Sequence, residues 1–311
     1  MAQEFCHLVC CVDDNYVPYC GVMLASVLEN NREEHIVVHV LDNALTDRGR
    51  ESLRGIVERK YGQQICFYPL SSDWQDSFPS TSSYVSLTTY CKLFISAILP
   101  ASVDKVLYLD CDIIVVGALR DLWNRDLSGK AMAAVKDAHR GLEEDCRRLG
   151  IDWQTEGYYN AGVMLLNLDY LRDTHFLERA MDFVASHASG LIYHDQDVVN
   201  GVLHGHILPL PPRYNLHDHL FRRKRALSDE EARLADREMQ PEHRVIIHFS
   251  SKRKPWGTRC LHPLRKLYFH YLDMTEWRGQ RPQYTFSERC WWWNRRLSEW
   301  LHWVNGYRRV R

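Results

Sequence analysis

The sequence predicts an α/β protein built on a mostly parallel central sheet with helices on both faces. Apolar runs of strand length alternate with amphipathic stretches through the first 70 residues, which is the pattern of parallel strands joined by crossover helices. Two of the strand-like runs end in acids, at Asp13-Asp14-Asn15 and at Asp110-Cys111-Asp112. Sheets of this kind bind ligands at the carboxyl ends of their strands.

Residues 6–12 read as the first buried strand. Residues 20–29 place Val22, Leu24, Ala25 and Leu28 at helical spacing and stop at Asn30-Asn31. A second strand covers 36–41, Thr46 caps a helix reaching about Tyr61, and 64–68 is a third strand. The Ser/Thr-rich stretch 70–87 is long enough to be a loop over the cleft. It leads into a helix over 88–99 that carries Lys92 and ends before Pro100.

Strands over 106–109 and 113–116 flank the Asp110-Cys111-Asp112 unit, and a further strand is predicted over 131–135. Residues 137–156 are charged and irregular. An apolar run over 158–167 contains Asn160-Ala161-Gly162, where the glycine lets backbone or ligand come close. A helix is predicted over 171–185, another starts at the polar residues His194-Asp195-Gln196, and the last strands fall at 207–210 and 245–249.

A formal net charge of -1 excludes a whole-molecule nucleic-acid binder, which leaves a basic footprint. The N-terminus has no basic region ahead of its apolar stretch, so it does not read as a secretory signal. No apolar run approaches the roughly 20 residues that span a bilayer. Ten cysteines without a C-x-x-C pair suit reduced thiols in a cytoplasm.

In extended backbone alternate side chains point the same way. Asp110 and Asp112 therefore face one cleft while Cys111 faces the core. Two carboxylates at a sheet mouth suit a hard divalent cation, with phosphate oxygens as further ligands. A bare D-x-D arises by chance about once in a chain this long, so the partners matter. His248, at the end of an apolar strand, is a competent third ligand. The basic turn Ser250 to Lys254 that follows it can hold phosphate oxygens. Asp195-Gln196-Asp197 at a helix start can hydrogen-bond a hydroxylated ligand. His204, His206, His217 and His219 lack a structural-zinc spacing and read as loop histidines.

Taken together, strand-DDNY, TTY followed by a basic residue, YLDCD, NAGV, DQD and HF....KPW, in this order, resemble glycosyltransferase family 8. The likeness runs from about Leu8 to Trp256, and it is nearest to bacterial lipooligosaccharide and lipopolysaccharide galactosyl- or glucosyltransferases, with glycogenin more distant. The resemblance implies a GT-A fold and retaining transfer of galactose or glucose from a UDP-sugar to a hydroxyl of a surface glycolipid. Asp110, Asp112 and His248 would then ligate Mn2+, with Mg2+ as the alternative. Asp13, Asn15 and Tyr16 would hold uracil and ribose. Lys92, Asn160, Ala161, Asp195 and Gln196 would surround the donor sugar, with Ser251 and Lys254 at the diphosphate. Gln196, Asp195 and Asp110 would be the catalytic residues, and Tyr84 and Tyr193 would lie toward the acceptor.

Two positions depart from the family pattern. Lys92 stands where the galactosyltransferases carry arginine, exchanging a planar bidentate grip for a point charge. Ser251 replaces the glycine usual in HF.G..KPW. Two rival functions make different demands. A sugar nucleotidyltransferase should show a glycine-rich phosphate loop after the first strand, where this chain has DDNYVP. A catalytically inactive glycan-binding relative should have lost a metal ligand, and none is missing.

Residues 1–256 thus read as the transferase domain, 257–280 as a connecting helical segment and 281–311 as a basic aromatic tail. In the tail Trp293, Leu297, Trp300, Leu301 and Val304 share one helical face, flanked by Trp292, Trp303 and several arginines. That is how a helix lying on an anionic membrane surface reads. The expected location is the inner face of the cytoplasmic membrane. Removal of the tail is expected to release the protein while leaving turnover on a soluble acceptor.

Overall fold

A computed structural model describes residues 5–70, 90–187, 190–301, 306–308 and 310. The expected 70–87 loop and Tyr84 fall, apart from Leu70, outside the described residues. The predicted mostly parallel sheet is present, with seven strands in the order β3-β2-β1-β4-β7-β6-β8. These are β1 (Phe5–Val12), β2 (His35–Asp42), β3 (Gln64–Pro69), β4 (Lys105–Leu109), β6 (Met132–Lys136), β7 (Tyr159–Asn167) and β8 (Ile207–Pro209). β1 pairs in parallel with β2 from Phe5↔His35 to Val12↔Asp42. Among the described strands of this sheet only β7 runs against its neighbours, β4 and β6.

Residue alternation explains why both faces of this sheet are covered. Leu8, Cys10, Val12, Leu107 and Leu109 belong to one apolar cluster, which includes Leu24 of the helix Val17–Asn30. Val9, Cys11, Val106 and Tyr108 belong to the opposite one, with Phe94 and Val198. Near-continuous apolar runs are what strands buried on both sides require.

The sequence did not disclose a second, three-stranded sheet in the order β5-β10-β9. It consists of β5 (Ile113–Val115), β9 (Leu216–His217) and β10 (Ile246–His248). β10 lies antiparallel to β5, with His248 opposite Ile113. A third apolar cluster lies around it, joining Ile114, Leu216, Ile247 and Phe249 to Tyr268 and Leu272. Thus the helix Arg265–Leu272, in the expected connecting segment, packs on the same body as the strands.

Other departures have local causes. The helix expected over 171–185 is two helices, Leu168–Asp173 and Phe176–His187, and His175 between them has φ 50°. Leu142–Arg148 and Asp229–Glu238 are helical despite weak apolar periodicity. The first starts with three acids, which suits the positive end of a helix dipole, and the second has a full capping box at Ser228 and Glu231. Of the helix expected over 88–99, the described part is a 3-10 turn, Cys91–Phe94, followed by Ile95–Ile98.

The tail forms the helix Phe286–Trp300, fixed by a capping box between Thr285 and Glu288. Phe286, Trp293, Leu297 and Trp300 are more than half exposed. Leu301 is half-buried instead of continuing the exposed stripe, and Trp303 and Val304 lie outside the described residues. Among the described residues no helix is long and apolar enough to cross a membrane.

Candidate active site

The ends of β4, β7 and β10 converge on one cavity of 820 Å³. β4 delivers Asp110, whose N–H donates to the Gly162 carbonyl of β7 at 2.9 Å. Two residues on, the Asp112 carbonyl accepts the Phe249 N–H at 3.0 Å, which ties the acid to the strand carrying His248. The His248 Nε2 stands 3.8 Å from Asp110 Oδ2 and 3.2 Å from Asp112 Oδ1. Ligand atoms of all three residues lie within 4.8 Å of one another.

The histidine's tautomer follows from its neighbours. The Gly162 N–H donates to Asn160 Oδ1, and Asn215 Nδ2 donates to the same oxygen at 2.8 Å. Asn215 must then turn Oδ1 toward His248, 3.1 Å from Nδ1. Nδ1 therefore donates, and the lone pair on Nε2 faces the carboxylates. Asp112 Oδ1 is buried and, among the described residues, has no hydrogen-bond partner. Two carboxylates and an imidazole lone pair aimed at one point repel each other unless a cation sits between them. The donor set fits a divalent metal ion of the Mn or Mg kind.

Close packing at this point also explains the glycine of the NAG stretch. A Cβ on Gly162 would lie 2.2 Å from His248 Cε1 and 2.8 Å from Asp110 Oδ2. Only glycine lets β7 pass His248 and Asp110 at this distance.

Lys92 is buried between Asp110 Oδ1, at 3.3 Å, and Asp195 Oδ2, at 2.6 Å. Burial works against its ammonium, but Asp110 and Asp195 outweigh it and hold the group above the usual lysine range. Burial pushes the Asp195 carboxyl up, and Lys92 only partly offsets that. Lys254 forms an ion pair with Asp112 Oδ2 and donates to the Phe249 carbonyl at 3.0 Å. Burial also opposes the charge of Asp112, yet Lys254 beside it holds the carboxyl well below its ordinary value.

Gln196 is held at both ends of its amide. Its Oε1 accepts the Ala161 N–H at 3.0 Å, and its Nε2 donates to Asp137 Oδ2 at 3.2 Å. Asp197 is fully buried and accepts from the Tyr158 hydroxyl, the Ile192 and Tyr193 N–H groups and Arg148. It therefore shapes the loop carrying Tyr193 and does not face ligand.

Of the residues expected here, Tyr16, Lys92, Asp110, Asp112, Asn160, Ala161, Tyr193, Asp195, Gln196, His248 and Lys254 line the cavity. Asp13, Asn15 and Ser251 are not among its lining residues. Asp13 Oδ1 accepts the Tyr16 N–H and so sets the turn that presents Tyr16. The Ser251 N–H donates to Asp218 Oδ2 at 3.0 Å. Tyr16 stands edge-on to Trp256, which stacks on Tyr19 with ring centroids 3.7 Å apart. His217 and His219 gather near Asp137, while His204 pairs with Glu156.

Three contributors were missed by sequence reasoning: Asp137, Asn215 and Tyr108. The Tyr108 hydroxyl donates to Asp110 Oδ1 at 2.6 Å. Asp137 carried a legible signal, because it follows an apolar strand as Asp110 does. Asn215, in a Pro-rich connection, carried none.

The profile of the family described as "Glycosyl transferase family 8" matches residues 7–260. General stress protein A of Bacillus subtilis is 29% identical over 88% of this chain and 96% of its own length. Lipopolysaccharide 1,2-glucosyltransferase of Escherichia coli K12 is 28% identical over 88% of this chain and 79% of its own. Among solved structures, the galactosyltransferase LgtC in complex with donor and acceptor sugar analogs superposes with a TM-score of 0.74 at 25% identity. That match covers 91% of this chain and 99% of LgtC.

Proposed function

The chain belongs to glycosyl transferase family 8, and from that premise we propose that it transfers galactose or glucose, with retention, from a UDP-sugar to a hydroxyl of a lipopolysaccharide-type acceptor. The observation that carries this reading is the convergence of Asp110, Asp112 and His248 beside Lys254 and Lys92 in one cavity. The names of the similar proteins, a lipopolysaccharide glucosyltransferase and a galactosyltransferase, support the hexose donor and the glycan acceptor.

The three ligands would hold Mn2+, which when bound supplies positive charge to the donor's diphosphate. This chain's own residues supply the rest. Lys254 presents a second cation to the leaving group, whose negative charge grows as the sugar bond breaks. Lys92 holds Asp195 and Asp110 in fixed positions beside the sugar. Tyr16, braced by Trp256, offers its ring to the uracil, and Tyr193 lies on the acceptor side.

We favour a front-face substitution. The acceptor oxygen bonds to C1 as the bond from C1 to the phosphate oxygen breaks, and the hydroxyl proton passes to that leaving oxygen. The amide of Gln196 is a poor nucleophile and is tied to Ala161 and Asp137. Asp195 is paired with Lys92 and Asp197 is fully engaged, so neither carboxylate is free to attack.

In this reading residues 1–256 are the transferase domain, 257–280 connect, and 281–311 form a tail whose exposed Trp293, Leu297 and Trp300 rest on an anionic inner-membrane surface. Incubation with Mn2+ and a panel of UDP-sugars, measuring UDP release with and without acceptor, tests the donor assignment. Release from UDP-galactose or UDP-glucose fastest supports it. Release from neither contradicts it.

A further inference from the structure

The tail was expected to be a detachable anchor, yet its last described residues pack against the turn that carries Lys254. Asp218, 2% exposed, divides its two carboxylate oxygens between them. Oδ2 accepts the Ser251 N–H at 3.0 Å, and Oδ1 accepts the Tyr307 hydroxyl. The Asp218 N–H also donates to Ser250 Oγ at 3.1 Å. Tyr307 is itself confined, with the Arg222 guanidinium 3.8 Å above its ring and donating to its hydroxyl at 3.0 Å.

The backbone around Tyr307 is laid against the body of the protein. Its neighbour Arg308 donates its N–H to the Phe221 carbonyl at 2.8 Å, and Arg223 donates to the Gly306 carbonyl at 3.1 Å. Farther off, Arg308 pairs with Asp236 at 2.9 Å. Independent contacts tie the preceding helix to the same turn and the segment after it. The guanidiniums of Arg253 and Arg259 lie 4.9 and 5.5 Å from the Trp291 ring centroid, and Thr258 Oγ1 donates to Glu288.

We propose that the chain's end is part of the donor site: Tyr307, acting through Asp218, fastens the Ser250 to Lys254 turn, so that Tyr307 and Asp218 are positioning residues for the diphosphate. A buried carboxylate oxygen deprived of its donor seeks another. Without the Tyr307 hydroxyl, Asp218 turns toward Arg222, 3.8 Å away. That movement releases the Ser251 N–H, and the turn that sets Lys254 loosens. The tail then does two things with two faces: its exposed side meets a surface, and its end steadies the diphosphate subsite.

This inference rests on the reading of the cavity as a UDP-sugar site, and its test separates the two. Tyr307→Phe in the full chain keeps the ring under Arg222 and removes only the hydroxyl. The expected result is about tenfold weaker UDP binding in the presence of Mn2+, since a hydrogen bond to a charged group is worth roughly a decade in affinity. KM for the donor should rise by the same factor while kcat changes little. Amide hydrogen exchange over residues 249–256, measured without ligand, should quicken. Unchanged exchange and unchanged UDP affinity would overturn the proposal. Asp236→Asn, which cuts another of the tail's anchors without touching Asp218, should leave UDP affinity near wild type. An equal loss in both variants would reduce Tyr307 to general support of the tail and overturn the proposal as well. If the wild-type chain binds no UDP, the donor assignment fails, while the exchange comparison still decides the link between tail and turn.

Discussion

The Nε2 of His248 lies 3.2 Å from Oδ1 of Asp112, and among the described residues that oxygen has no hydrogen-bond partner. A carboxylate oxygen and an imidazole lone pair approach this closely because two strands of a small sheet hold them there, β5 following Asp112 and β10 ending in His248. Chain distance is irrelevant once the ladder forms.

Asp110→Ala should reduce Mn2+-dependent sugar transfer by roughly a thousandfold, because a lost ligand forfeits several kcal/mol of charge stabilisation. The fold should persist, since Asp110 is half-buried and its backbone is held by Gly162. UDP release with and without Mn2+, alongside a thermal melt, checks both parts. Full activity without divalent metal would contradict the ligand assignment.

Lys92→Met is predicted to lower stability by about 3–5 kcal/mol, the usual result of removing one partner from a buried ion pair. Asp110 and Asp195 would be left facing each other without their cation. Chemical denaturation of the variant measures the loss, and a change under 1 kcal/mol would show that the pair is not coupled as drawn.

The meeting of Asp110 and Asp112 at a sheet mouth was legible from the apolar strand that precedes them, but its cause was not: residues 111–112 form a turn between β4 and β5, so the two acids are brought together by that turn and not by strand alternation. The role of Gly162 was only half legible. Its lack of a side chain suggested close approach, but what approaches, the His248 ring, depends on the three-stranded sheet. β9 contributes two residues to that sheet, too few for any periodicity. Asn215 and Asp218 flank β9 and were invisible for the same reason. Asp137 could have been found by asking which other apolar strand ends in an acid.

Gly162→Ala should therefore weaken the metal site while sparing the donor's uracil contacts. The expected outcome is at least a tenfold rise in the Mn2+ concentration giving half-maximal activity, as the new methyl displaces His248. An unaltered Mn2+ dependence would mean the ring has room to move.

Stability should fall as the pH drops from 6.5 toward 4. Burial pushes His39, His217 and His262 from 6.5 down to about 4. In that window the unfolded chain takes up protons that the folded chain refuses, so acidification favours unfolding. Asp112 and Asp137, held below the usual carboxylate range, contribute a further loss only as pH falls below 3.8. His139 has the opposite sign: its pKa is raised, so its contribution is present below 6.5 and fades above that. Melting temperature against pH for wild type and His262→Leu checks the balance, and the variant should show the shallower slope between pH 6.5 and 4.

Replacing Trp293, Leu297 and Trp300 together by serine should abolish sedimentation with anionic vesicles and leave transfer to a soluble sugar acceptor within about twofold. These side chains are 69%, 52% and 68% exposed, so little packing is lost. Substitution tests the surface more cleanly than deletion, which would also remove Tyr307. Undiminished sedimentation would count against the membrane role.

The most direct test is an electron paramagnetic resonance titration of Mn2+ into the full chain in the presence of UDP. One ion bound per wild-type chain, and none at the same concentrations in His248→Ala, is the predicted result. Equal binding by the two would show that His248 does not share an ion with Asp110 and Asp112, and the account of the site would fail.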